Sequence, residues 1–146
     1  MKKTLIYVCM AVTAAFAAVS CDINSFPVFD DATDAFVKFD NSEATVVKGE
    51  TINVGVTLAS VAGLEATATF TVAPVEEGGA VEGVDYTILN SGKTLSFNAQ
   101  NRTAYIQIQA TAGTVGEKAF IITVTGNDPI NTGAQNTCEV EIVDAD

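Results

Sequence analysis

Histidine and tryptophan are absent from this chain of 146 residues. Without histidine, the commonest general base near neutral pH and the commonest nitrogen ligand for metals are both missing. Without tryptophan, the best stacking surface for sugars or nucleobases is missing as well. Basic residues are scarce: 7 Lys and Arg against 18 Asp and Glu leave a formal charge of −11. A surface that acidic repels phosphate backbones and anionic headgroups, which argues against nucleic-acid binding. Apolar residues are not scarce. They make up 48% of the chain, enough for a packed core and against disorder, over a length that fits one domain.

Cysteine is sparse too, with 3 in the chain. Cys9 lies inside an apolar N-terminal run, Cys21 ends that run, and Cys138 stands alone in the body of the sequence. An internal disulfide would need Cys21 to remain free and meet Cys138. Cys138 shares strand parity with Val140 and Ile142, which reads as a small buried hydrophobe, with a redox site as the alternative.

What is present begins with an address. Residues 1–21, MKKTLIYVCMAVTAAFAAVSC, place Lys2 and Lys3 before an apolar run and then small residues. That is the pattern of a secretory signal, too short and too rich in Ala for a stop-transfer helix. The stretch Ala18-Val19-Ser20-Cys21 resembles the lipobox of bacterial lipoproteins, with Ala18 where Leu is usual. The resemblance implies a signal peptide over 1–20, cleavage before Cys21, and acylation of its thiol and new amine. Each buried methylene contributes about 0.8 kcal/mol, so two or three acyl chains hold a protein to a membrane where one does not. An ordinary signal with a chance Cys is the alternative. Residues 21–34, acidic and without a clean period, read as a tether. The expected location is the bacterial cell envelope, at the outer membrane.

From residue 35 onward the dominant signal is alternation. Ile52, Val54, Val56 and Leu58 alternate with Asn53, Gly55 and Thr57. Ala68, Phe70 and Val72 alternate with threonines, and Leu95 and Phe97 with Thr94 and Ser96. Ile106 and Ile108 alternate with Tyr105, Gln107 and Gln109. A period of two marks half-buried strands. Residues 117–125 are apolar on both parities, so this strand is expected to be central, covered on both sides or packed against the tether. Cys138, Val140 and Ile142 alternate with Glu139 and Glu141, acids that would blunt an exposed edge. Many short strands, regular turns and no helical run beyond the signal predict an all-β domain over 35–146. Its expected architecture is an immunoglobulin-like two-sheet antiparallel β-sandwich of about seven strands.

One set of motifs is more specific. Gly83-Val84-Asp85-Tyr86-Thr87 is followed by Ser91-Gly92-Lys93-Thr94-Leu95-Ser96-Phe97, then Tyr105-Ile106-Gln107-Ile108, Phe120-Ile121-Ile122-Thr123-Val124 and Ile142-Val143-Asp144. In this order the pattern resembles the Calx-beta domain, from about residue 45 to the C-terminus. The resemblance implies an immunoglobulin-like sandwich, common on cell-surface and adhesion proteins, with calcium sites in some members. Calcium requires six to eight converging oxygens. In calcium-binding relatives an acid precedes the first Gly turn, where this chain has Lys48, and an acidic run follows the I-x-I strand. Here that run is Ala110-Thr111-Ala112-Gly113. Asp85 remains, and Glu117, Asp144 and Asp146 are candidates at the same end. An ammonium in place of a ligand removes an oxygen and repels the ion, so no metal or other cofactor is expected, and Asp85 is read as a hydrogen-bonding turn residue.

Catalytic patterns are missing as well. No G-x-S-x-G elbow occurs, no His can partner a nucleophile, and no spacing singles out a carboxylate pair. The sequence therefore reads as a non-enzymatic module for binding, adhesion or spacing, anchored to the membrane through Cys21. Its partner is an unidentified protein or glycan. A calcium-dependent structural module and an accessory glycan-binding protein are the alternatives. Loops 74–83 and 126–135, taken to lie at one end, are the expected contact surface. Tyr86 and Tyr105 are the aromatic candidates for a sugar face, against packing as their ordinary role.

Overall fold

The computed structural model describes residues 34–60 and 64–146. The residues read as a signal and, save Asp34, as a tether lie outside them, Cys21 included. Ten strands follow in order: β1 Phe36–Phe39, β2 Glu43–Val47, β3 Thr51–Ala59, β4 Ala66–Pro74, β5 Tyr86–Ile88, β6 Thr94–Phe97, β7 Thr103–Ala110, β8 Lys118–Gly126, β9 Asn131–Thr132 and β10 Thr137–Val143. They form two five-stranded sheets, β5-β7-β3-β1-β9 and β2-β10-β8-β4-β6. No helix occurs among the described residues. The fold is an immunoglobulin-like β-sandwich.

The alternation decides which side chains meet between the layers. Val54, Val56 and Leu58 of β3 and Ile106 and Ile108 of β7 point inward from one sheet. Phe70 of β4, Phe120, Ile122 and Val124 of β8, and Cys138, Val140 and Ile142 of β10 point inward from the other. Phe39 and Val37 of β1, Val46 of β2, Tyr86 of β5, and Leu95 and Phe97 of β6 join the same core. Burying a large apolar side chain contributes about 1.5–3 kcal/mol, so this shared interior is what holds the two layers together.

Three expectations need correction. The sheets are mixed, because β1 runs parallel to β9 and β2 parallel to β10. The N-terminal strand starts in one sheet and crosses at residues 40–42 to the other, which splits it into β1 and β2. The strands number ten rather than about seven, with the three-residue β5 and the two-residue β9 among them. The second correction concerns β10, which lies between β2 and β8. Glu139 and Glu141 therefore do not guard an edge; β2 is the edge strand, and their charges stand on the open face. The third concerns β8, which is central in its sheet but, among the described residues, has no further layer over its outer face; packing against the tether falls on residues outside those described. Its outward Ala119, Ile121 and Thr123 are half-buried beside register partners on β4 and β10.

The long strands define two ends. At one, Phe36 opens β1, Gly126 closes β8 and Thr137 opens β10. At the other, Pro74 closes β4, Tyr86 opens β5, Ala110 closes β7 and Val143 closes β10. The N-terminal segment enters at the first end, and the turn before β5 sits at the second.

Candidate functional site

Asp85 is held by the turn that carries it. Gly83 adopts φ 85, a conformation a side chain disfavours, and the Asp85 N–H donates to the Val81 carbonyl at 2.9 Å. The chain thus folds back so that Asp85 Oδ2 accepts the Val81 N–H at 2.9 Å. The same oxygen accepts from Lys118 Nζ at 3.1 Å. The Asp85 carbonyl accepts from the Thr111 N–H at 2.8 Å and from Thr114 Oγ1 at 3.2 Å. Burial pushes the carboxyl pKa up, but the Val81 N–H and the Lys118 ammonium outweigh it and hold the group below the ordinary carboxylate value. The neighbouring Tyr86 is buried and stacks on Phe120 with ring centroids 3.7 Å apart. Burial, with the charges of Glu82 and Asp85, lifts its hydroxyl pKa well above the usual phenol.

The four calcium candidates reach one end of the sandwich without converging. Asp85 is taken up by Val81 and Lys118. Asp144 is 72% exposed and pairs with Lys48, whose Nζ stands 2.5 Å from Oδ1. Glu117 and Asp146 are exposed. Among the described residues, no three or more acidic or cysteine side chains come close enough to hold a metal ion. The candidate set therefore does not fit a calcium ion: two ammonium groups stand where cation charge would be needed.

The contact loops do not share an end. Residue 79 bridges Ala119 at the start of β8, whereas residues 126–135 follow the end of that nine-residue strand. The two loops lie at opposite ends of the sandwich. The error arose because strand count, not composition, fixes the end on which a loop falls.

The acids of the β2-β10-β8 surface gather at a hollow of about 190 Å³ lined by Glu77, Glu117, Lys118, Glu139 and Glu141. All four glutamates are exposed. A glycoside-cleaving pair needs one carboxyl kept protonated by burial, and none of these is buried.

The outer face of the β5-β7-β3-β1-β9 sheet has a different chemistry. Tyr105 is 54% exposed there, the one exposed aromatic ring among the described residues. Its register partner on β3 is Gly55. A side chain at Gly55 would collide with the Asp40 carboxylate, which is tied down by Thr57 Oγ1 donating at 2.6 Å. Asn53 pairs with Gln107 in the next row, and Thr51 with Gln109 in the one after. Beyond the end of β5, Asn90 Nδ2 donates to the Tyr105 carbonyl at 2.9 Å and its Oδ1 accepts the Gln107 N–H at 2.8 Å. Asp40, Asn53, Asn90 and Gln107 were not singled out by the sequence reading. A glycine inside the cleanest alternating strand was the available signal, since it marks close approach of another group.

Cys138 is fully buried, and burial with the nearby Glu43 charge lifts its thiol to about 11. A thiol so rarely ionised is a poor nucleophile and redox partner. Cys21 lies outside the described residues.

No family model and no curated protein matches the sequence. Solved structures do resemble the fold. A class 5 fimbriae chaperone, CfaA, aligns over 75% of this chain and 57% of its own with a TM-score of 0.57 at 8% identity. Domains 4 and 5 of the S-layer protein SbsC align over 73% of this chain and 50% of their own, with a TM-score of 0.41 at 18% identity. The chain thus spans little more than half of the chaperone. The chaperone likeness establishes the sandwich architecture and nothing finer.

Proposed function

We propose that the protein is a lipid-anchored, non-enzymatic module of the bacterial cell envelope, which carries one Calx-beta-like sandwich as a binding or spacer unit. The observation that carries this reading is directional. The described chain enters the sandwich at the β1 end, and the turn around Asp85 and the loop at 111–117 lie at the opposite end. Lipid on Cys21 holds the body at a membrane, and the acidic surface keeps that body off the anionic headgroups. The absence of His, together with buried Cys138 and unburied glutamates, supports a module that binds rather than catalyses.

Cell fractionation tests the anchor. Wild-type protein is expected in the membrane fraction and to incorporate labelled palmitate; Cys21→Ser is expected to lose the label and leave the membrane. A Cys21→Ser protein still pelleting with membranes after a high-salt wash overturns the reading.

A further inference from the structure

We propose that the outer face of the β5-β7-β3-β1-β9 sheet is a platform for an uncharged polysaccharide, with Tyr105 as its stacking ring and Asp40, Asn53 and Gln107 as partners for sugar hydroxyls. This rests on the reading above, that the module binds rather than catalyses, and it names the ligand class.

The geometry starts from what leaves Tyr105 open. On one side its register partner is Gly55, which offers no side chain to lean on the ring. On the other side β5 stops at Ile88, and the Asn90 amide satisfies the backbone at Tyr105 and Gln107 in place of a further strand. The ring is therefore shaded by no neighbouring strand residue in its own row and stays 54% exposed. Its row also carries Asp40, whose N–H donates to the Gly55 carbonyl at 3.0 Å. The absence of a side chain at Gly55 is what leaves room for that carboxylate.

A pyranose presents an apolar C–H face and a rim of hydroxyls. An aromatic ring takes the first. A carboxylate accepts from adjacent hydroxyls, and an amide both donates and accepts, which suits the second. Along β7, Tyr105, Gln107 and Gln109 all point outward and span ~13 Å at the strand repeat, a row for consecutive sugars. Charge then selects among glycans. The face carries Lys38 in the row of Thr57 beside Asp40, while the chain as a whole carries −11, so uronate and sulfated chains are repelled. A protein partner fits less well. A stable interface needs a broad apolar centre within about 800 Å² per side, and the exposed large apolar side chains beside β7 here are Tyr105 and Leu89 alone. The opposite face bears Thr67, Thr69 and Thr71 but no ring.

Native gel electrophoresis of the full chain in detergent, through gels containing starch, laminarin, galactomannan or xylan, with polygalacturonate as the charged control, tests this. At least one neutral polysaccharide is expected to retard the protein, and polygalacturonate is not. Tyr105→Ala is expected to weaken retardation about tenfold, equivalent to ~1.4 kcal/mol; Tyr105→Phe retains it, Gln107→Ala weakens it, and Thr69→Ala on the other sheet leaves it unchanged. Thermal unfolding of each variant checks that the fold persists. If Tyr105→Ala fails to fold, Gln107→Ala against Thr69→Ala decides. No retardation by any neutral polysaccharide, or equal losses from the two sheet faces, overturns the proposal. If fractionation still shows release of Cys21→Ser, only the ligand class falls and the anchored module stands.

Discussion

The Lys118 ammonium and the Asp85 carboxylate stand 3.1 Å apart and belong to opposite sheets. Asp85 immediately precedes β5 of one sheet, and Lys118 opens β8 of the other. The pair is thus a polar tie across an otherwise apolar sandwich, with Asp85 only 4% exposed and Lys118 29%. Removing the acid leaves an ammonium and the Val81 N–H without their acceptor.

Asp85→Ala is expected to lower stability by about 2–4 kcal/mol, read from the urea midpoint at constant m-value. Lys118→Met is expected to cost less, because the Val81 N–H still serves the carboxylate. The double variant should cost less than the two singles combined, as for any coupled pair. The same tie sets an acid limit. The folded pKa of Asp85 lies below its ordinary 3.8, so the unfolded chain binds the proton first as pH falls. The contribution is whole above about pH 4 and is lost below it, as pH falls through the folded value. Asp85→Asn should flatten this part of the acid unfolding curve.

Cys138 sets a limit at the alkaline side. Its thiol is raised from 9.0 to about 11 in the folded protein, so the unfolded chain releases the proton first as pH rises. Stability from this group is complete below pH 9 and falls as pH climbs toward 11, by ~2–3 kcal/mol across the window. In a chain with Cys9 and Cys21 changed to Ser, a thiol reagent at pH 8 should react with Cys138 only at the rate of unfolding. Fast labelling of the folded protein contradicts the assignment of an inert, buried thiol.

Calcium should not stabilise this sandwich. An ion bound by the native state alone raises the unfolding midpoint as its concentration exceeds the dissociation constant. With Lys48 on Asp144 and Lys118 on Asp85, the midpoint in millimolar calcium is expected to match that in chelator. A rise with calcium that disappears in Asp85→Asn or Asp144→Asn would restore the calcium-module reading.

Two glycines separate a flexible neighbour from a fixed one. A side chain at Gly55 meets the Asp40 carboxylate, whereas one at Gly126 meets the backbone carbonyl of Asn131 in β9. Gly55→Ala is expected to break the Asp40–Thr57 hydrogen bond at a cost of about 1 kcal/mol. Gly126→Ala must push β9 away from the body and should cost about 2–3 kcal/mol. Chemical denaturation of the two variants side by side measures the difference.

The inward half of each strand was legible because parity alone assigns it. Val54, Ile106, Phe120 and Val140 are buried as their alternation requires. Tyr86 was not assignable from the sequence. It opens a three-residue strand, too short for parity to decide between a sugar face and the core. The outward half was legible only as polar. Which polar residues share a row depends on strand order and register, which are long-range properties: Asp40, Gly55 and Tyr105 fall together only after β1, β3 and β7 have paired. Lys118 as the partner of Asp85 was hidden for the same reason, since it lies 33 positions further along the chain. The lysine at 48 was readable as a misfit to a calcium loop, but its acceptor, 96 residues away, was not.

The parallel pairing of β2 with β10 bears on how the body carries tension. β2 follows the N-terminal segment, and β10 runs beside it toward the opposite pole. A pull between the end where β1 begins and that far pole slides the two strands along each other instead of peeling them apart. The hydrogen bonds from the Glu139–Glu43 pair to the Val143–Val47 pair are then strained together, as a seam in shear, and the module withstands stretching along its long axis better than tugging from the side.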